Sequence, residues 1–167
     1  IYAGGHFGEY NSNGERTGLV VKYDHAGAEI WAKNIDGAEG DQKVLGLAVD
    51  NDSNVYALSQ WYNNDLYPRL HKLDSDGHKL WEIRLYGGMN WIRPSGIGID
   101  ADGNVLFGGQ YDGEFNQGDN DGYLIVKVDP NGNVLWQRQL TTNNDTGLHQ
   151  GYNNDNYSTL AVNGDRF

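Results

Sequence analysis

Lys72-Leu-Asp74-Ser-Asp-Gly77-His-Lys-Leu-Trp81 decides the fold, because the chain says it three times. The counterparts are Lys22-Tyr-Asp24-His-Ala-Gly27-Ala-Glu-Ile-Trp31 and Lys127-Val-Asp129-Pro-Asn-Gly132-Asn-Val-Leu-Trp136. Each phrase holds Asp and Gly between two apolar runs, and those residues suit a tight turn because they tolerate left-handed backbone angles. A second phrase alternates with the first: Leu47-Ala-Val-Asp50-Asn-Asp-Ser-Asn-Val55, Ile97-Gly-Ile-Asp100-Ala-Asp-Gly-Asn-Val105 and Leu160-Ala-Val-Asn163-Gly-Asp-Arg-Phe167. Each unit of the chain therefore contains two hairpins.

The middle unit divides into strands at about 44–50, 55–60, 69–74 and 79–85, with β-branched and aromatic residues alternating with polar ones. No stretch carries a helical period, so the expected class is all-β. Four short strands in a repeat of roughly 50 residues are the signature of a propeller blade. The reading is three four-stranded antiparallel repeats, at about 1–49, 50–99 and 100–167, forming part of a larger or oligomeric propeller. Val162-Asn-Gly-Asp-Arg-Phe167 followed by Ile1-Tyr-Ala-Gly-Gly5 aligns without a gap on Ile99 to Gly109. The first and last strands are thus expected to complete one shared blade, or the chain is a stretch of a longer array. Ile1 is not an initiator residue, so upstream sequence is expected.

Three blades fall short of the four to eight that close a propeller. Open blade edges are templates for another chain. The expected partner is a second copy or further propeller repeats of a parent chain. A net charge of −11 argues against nucleic acid and against an anionic membrane surface. There are no cysteines, which removes disulfides, thiolate metal sites and a Cys nucleophile together. No apolar run is long enough to span a bilayer as a helix. The acidic, Asn- and Gly-rich composition suits an extracellular, cell-surface or virion protein.

In an antiparallel four-stranded unit the two tight turns share one end and the long links share the other. The long links are expected at His6–Gly18, Asp36–Lys43, Trp61–Pro68, Tyr86–Ser95, Tyr111–Gly122 and Thr141–Tyr157. Function in repeat proteins concentrates on such an end. Trp31, Trp81 and Trp136, with Asp24, Asp74 and Asp129, recur in register and are assigned to structure. The off-register aromatics beside amides are the ligand candidates: Trp61, Tyr62, Asn63, Asn64 and Asp65; Asn90 and Trp91; Tyr111 and Asp112; Tyr152, Asn153 and Asp155. A flat ring stacks on the C–H face of a sugar while short amides and carboxylates hold its hydroxyls, so a glycan is one fitting ligand. The same residues suit a protein contact surface, and loop self-packing is the plain alternative.

Asp50-Asn-Asp52-Ser-Asn54 imitates the start of an EF-hand loop, but Val55 and Trp61 stand where that loop needs Gly and a carboxylate. Asp119 and Asp121 form a looser acidic cluster able to bind Ca²⁺, and no other cofactor is expected. Gly96-Ile-Gly98-Ile-Asp-Ala101 has the letters of a dinucleotide fingerprint without the helix that fingerprint requires. No Ser lies in a nucleophile elbow and no His pair has metal spacing, so no enzyme is expected.

The alternation of Leu47–Leu58 and Ile97–Gly109 with Lys72–Leu85 and Lys127–Leu140 resembles the bacterial β-propeller repeat family of SBBP type. The Asp-x-x-Gly-x-x-x-Trp phrase is similar, more weakly, to the tryptophan-docking repeats of PQQ-type propellers. The resemblance implies a propeller fold and an extracellular or surface-attached module, and it supplies no catalytic residues. Vicinal cysteines, expected of a quinone enzyme, are absent. The expected function is a non-enzymatic binding and assembly module acting through the long-link end; a purely structural self-assembling component and a fragment of a propeller enzyme are the alternatives.

Overall fold

The computed structural model describes residues 1–7, 16–35, 41–62, 66–85, 92–111 and 122–141. They form eleven strands: β1 (Tyr2–Phe7), β2 (Thr17–Tyr23), β3 (Glu29–Asn34), β4 (Asp41–Val49), β5 (Val55–Tyr62), β6 (Leu66–Leu73), β7 (Lys79–Arg84), β8 (Ile92–Ile99), β9 (Val105–Tyr111), β10 (Gly122–Val128) and β11 (Val134–Thr141). The strands make three antiparallel meanders, β1-β2-β3, β4-β5-β6-β7 and β8-β9-β10-β11. The protein is all-β, and no helix occurs among the described residues. The first sheet has no counterpart of β4 or β8 among those residues; the C-terminal phrase Leu160 to Phe167, expected to help complete that blade, lies outside them.

Five turns share one construction, and the aspartate that opens each explains it. Oδ1 of Asp24, Asp50, Asp74, Asp100 and Asp129 accepts the backbone N–H groups two and four residues on, at 2.8–3.0 Å. A short carboxylate thereby satisfies amides that the reversal leaves unpaired. The fourth residue of each turn has positive φ, and it is glycine at 27, 77, 103 and 132 but Ser53 (φ 66°) in the fifth. A side chain in that region is strained. Ser53→Gly is therefore expected to raise stability by about 1 kcal/mol, moving the thermal midpoint up by about 3 °C. A midpoint that stays or falls in calorimetry contradicts this.

The strands reach further than their composition suggests. Trp61 and Tyr62 belong to β5, Tyr111 to β9 and Thr141 to β11, while Leu66–Pro68 open β6 and Asp41–Lys43 open β4. Likewise His6 and Phe7 end β1, Thr17 and Gly18 begin β2, and Ile92–Ser95 begin β8. The expected long links are therefore shorter than read. Pro68 illustrates the reason: it pairs with Gln60 on β5, but β7 ends at Arg84 opposite Arg69. A proline at that point has a single neighbouring strand, so its missing N–H costs no ladder bond.

Sheet stacks on sheet. β4 packs on β1 and β2, and β8 packs on β4, β5 and β6. The middle sheet is consequently covered on both faces, which is why residues 55–59 are all buried although alternate side chains point opposite ways. One core joins Val55, Ala57 and Leu73 to Val20 of β2, Val44 of β4 and Ile35 just past the end of β3. The other joins Tyr56, Leu58 and Leu70 to Ile92, Val105, Phe107, Leu124 and Val126. In the last sheet β10 alternates strictly between buried and half-buried residues, because only one of its faces is covered by the middle sheet.

Candidate functional site

Two arrangements stand out: a junction repeated between sheets, and a polar row running to the link-bearing end of the middle sheet. The junction is built by the recurring phrase. Lys22 and Trp31 are cross-strand partners, as are Lys72 and Trp81, so each lysine and indole leave the same face of their sheet side by side. Lys22 Nζ and Trp31 Nε1 both donate to the carbonyl oxygen of Ser75, at 2.8 and 3.1 Å. Lys72 Nζ and Trp81 Nε1 both donate to the carbonyl oxygen of Pro130, at 3.0 and 3.1 Å. Thus the second residue of the Asp74 and Asp129 turns is gripped by the preceding sheet. Each indole also packs against a tyrosine of its own sheet, Trp31 tilted at 5.9 Å from Tyr2 and Trp81 edge-on at 5.8 Å from Tyr56. Trp136 holds the equivalent place in the last sheet, opposite Lys127, with the Arg138 guanidinium 5.7 Å from its ring.

The first aspartate of the other turn class anchors the same lysine. Asp100 Oδ2 meets Lys127 Nζ at 2.7 Å, and Asp50 Oδ2 lies 3.9 Å from Lys72 Nζ. Burial pushes the Tyr56 hydroxyl well above the ordinary phenol range, and the charge of Asp50, which accepts its hydrogen bond, adds to the effect.

The polar row lies on the face of the middle sheet that carries Val55 and Ala57. Strand alternation sends Ser59 and Trp61 to that face, and the register sets them opposite Arg69 and Tyr67, with His71 opposite Glu82 one pair below. Glu82 is the hub. Arg84 Nε donates to Oε1 at 2.9 Å and Lys79 Nζ to Oε2 at 3.0 Å, while Arg69 Nη1 and His71 Nδ1 lie 3.6 and 3.7 Å away. Burial works against the charged form of Glu82, but the hydrogen bonds from Arg84 and Lys79 and the nearby positive charges outweigh it and hold the carboxyl at about 2. Ser59 Oγ is 3.0 Å from His71 Nε2.

Serine, histidine and glutamate in that order are the parts of a nucleophilic triad, and sequence reasoning missed them because they meet only through hairpin register. Their burial decides against the chemistry. Ser59 and His71 are both 0 % exposed, so no acyl group can reach the hydroxyl. The row is a charge network inside the stack, closed at its outer end by aromatics. The Arg69 guanidinium sits 4.3 Å from the Trp61 ring centroid, and Trp61 stacks on Tyr67 at 6.3 Å with 27° between planes.

Of the ligand candidates, Trp61 is half-buried at the link end of β5, beside the Arg69 guanidinium. Tyr62 follows it in the strand. Tyr111, grouped with the link residues on sequence, is 4 % exposed in the core between the middle and last sheets, so its ring faces are already covered. Asn63, Asn64, Asp65, Asn90, Trp91, Asp112, Tyr152, Asn153 and Asp155 lie outside the described residues, as do Asp119 and Asp121. Among the described residues no cluster of three His, Asp or Glu side chains is placed to hold a metal ion, and no helix is long and apolar enough to cross a membrane. A scan against protein-family models finds no match, and a search of curated proteins finds no significant relative.

Proposed function

We propose that the three sheets are successive blades of a β-propeller, related to the SBBP-type repeats, in a non-enzymatic extracellular, cell-surface or virion module that binds and assembles. The observation that carries this reading is the repeated junction, in which Lys22 with Trp31 and Lys72 with Trp81 grip the next turn in the same way. Identical joints between sheets make a rigid row of interchangeable units, and such a row serves as a platform rather than a reaction vessel. All the variable links leave one end of that row, where Trp61 and Tyr67 present aromatic surface beside a cation. A polyhydroxylated glycan is the ligand class that this end fits best, given the Asn and Asp residues that adjoin it in sequence.

Glycan-array retention by the purified chain tests it, with Trp61→Ala as the variant. At least one glycan is expected to bind, with retention falling about tenfold in the variant, because loss of one stacking platform removes on the order of 1–2 kcal/mol. Retention that is absent, or equal in both proteins, overturns the glycan reading. A purely structural role is favoured by one observation, the Arg69 guanidinium already placed against the Trp61 ring, and it predicts that no glycan is retained.

A further inference from the structure

The stack carries two halves of a third junction at its opposite ends. The donor half is on the last sheet. Lys127 pairs with Trp136 across β10 and β11 as Lys72 pairs with Trp81 and Lys22 with Trp31, and the register slips at the same place after each lysine. The Trp136 indole has no acceptor among the described residues, and Leu140, on the same face, is 57 % exposed. The acceptor half is on the first sheet. His25 occupies the place of Ser75 and Pro130 in the turn opened by Asp24, and His25, Ala26 and Gly27 are all exposed.

Glycine in this turn reports whether the joint is filled. A methyl group added at Gly77 would lie 3.2 Å from Trp31 Cδ2, and one at Gly132 would lie 3.3 Å from Trp81 Cδ2. At Gly27 it would meet nothing within 4 Å. The space above Gly27 is the space that an indole and the side chain two residues after it, Lys33 or Ile83, fill at the internal junctions. Behind the turn, the outer face of the first sheet carries half-buried Leu19 and buried Val21, the counterparts of Arg69 and His71 in the middle sheet and of Leu124 and Val126 in the last.

From this we infer that a second copy of the same chain docks head to tail, with Trp136 Nε1 and Lys127 Nζ of one copy donating to the carbonyl oxygen of His25 in the other. Continuity with the internal junctions selects this occupant, since the donor pair and the turn are copies of groups that already fit each other twice within the chain. Lys127 keeps Asp100 while it docks, as Lys72 lies near Asp50 while it bonds to Pro130. A contact between unlike patches closes when its rotation completes a circle. Two chains bring six sheets, a number within the range that closes. The inference rests on the three sheets being copies of one unit, and it needs no ligand at the link end.

Two variants disable the two halves separately. Trp136→Ala removes the donor. Gly27→Asn fills the space above the turn with a residue that tolerates left-handed φ, and its Cβ meets nothing within 4 Å. Light scattering over a concentration series is expected to give twice the chain mass for the parent protein. Each variant alone is expected to be monomeric, with dimerisation weakened about 100-fold. Mixed in equal amounts, the variants retain one intact joint, Trp136 of the Gly27→Asn chain on the turn of the Trp136→Ala chain, and a one-to-one heterodimer should form. A monomeric parent protein, or a mixture in which no heterodimer forms while both variants keep the parent far-ultraviolet circular dichroism, overturns the inference. Glycan retention measured on the monomeric variants separates this outcome from failure of the ligand reading.

Discussion

Trp81→Ala is expected to lower the unfolding free energy by about 3 kcal/mol, while Trp136→Ala, the same substitution in the same phrase, costs less than about 1 kcal/mol in the isolated chain. The difference comes from what each ring touches. Trp81 packs on Tyr56, donates its indole N–H to the Pro130 carbonyl at 3.1 Å and covers Gly132. Its removal opens a cavity between two sheets and takes one of two donors from a carbonyl that Lys72 also holds. Trp136 has the Arg138 guanidinium beside it and no acceptor among the described residues. Urea unfolding at a concentration low enough to keep the chains apart reads the comparison as a shift in midpoint with an unchanged slope. Equal losses for the two tryptophans would mean that the junction does not carry the stability assigned to it.

Asp100→Ala is the second large effect, at about 3–4 kcal/mol. Asp100 is 8 % exposed, and its two oxygens serve five contacts. The backbone N–H groups of Asp102 and Asn104 donate at 3.0 and 2.8 Å, the Asn104 amide at 3.2 and 3.1 Å, and Lys127 Nζ lies 2.7 Å away. Truncation leaves turn amides and a partly buried ammonium without their acceptor. Asp100→Asn keeps a carbonyl oxygen for the turn and loses the charge, so about 2 kcal/mol is expected for it.

The Asp100 ion pair also sets a pH dependence. Burial raises the Asp100 carboxyl, but Lys127 and the Asn104 side chain and backbone more than reverse this and hold it below the ordinary carboxylate range. A depressed folded-state value means that the stabilisation is complete above the unfolded value, near about 4. It is lost as pH falls through the folded value. Parent and Asp100→Asn stabilities should accordingly converge as pH drops below about 4. Asp74 and Asp129, held low by hydrogen bonds of their own turns, and Glu82, at about 2, lose stability in the same direction. A gap that stays constant down to pH 2 would contradict the ion pair.

Turn chemistry was legible because it is local. Asp74, Gly77 and their counterparts can be read within five residues, and the structure pairs their amides and carboxylates as those positions imply. Strand ends were less legible. Nothing within Gln60-Trp-Tyr62 or Leu66-Tyr-Pro68 shows that the ladder runs through them, since pairing depends on where the neighbouring strand β7 stops. The reading of Tyr111 as a link aromatic went astray for the same reason: a Tyr beside Asp and Gly resembles a loop until the opposite sheet covers it.

Sequence by itself determined the all-β class, the unit of two tight hairpins and the place of every Asp turn, because these follow from period-two alternation and from side chains bonding their own backbone. Only tertiary structure decided which carbonyls Trp31 and Trp81 find, that Ser59, His71 and Glu82 lie in one row, and that the Trp136 indole has no acceptor among the described residues. Those facts depend on register and on sheet-to-sheet contact. They join residues as far apart as Lys72 and Pro130, and no local pattern carries that distance.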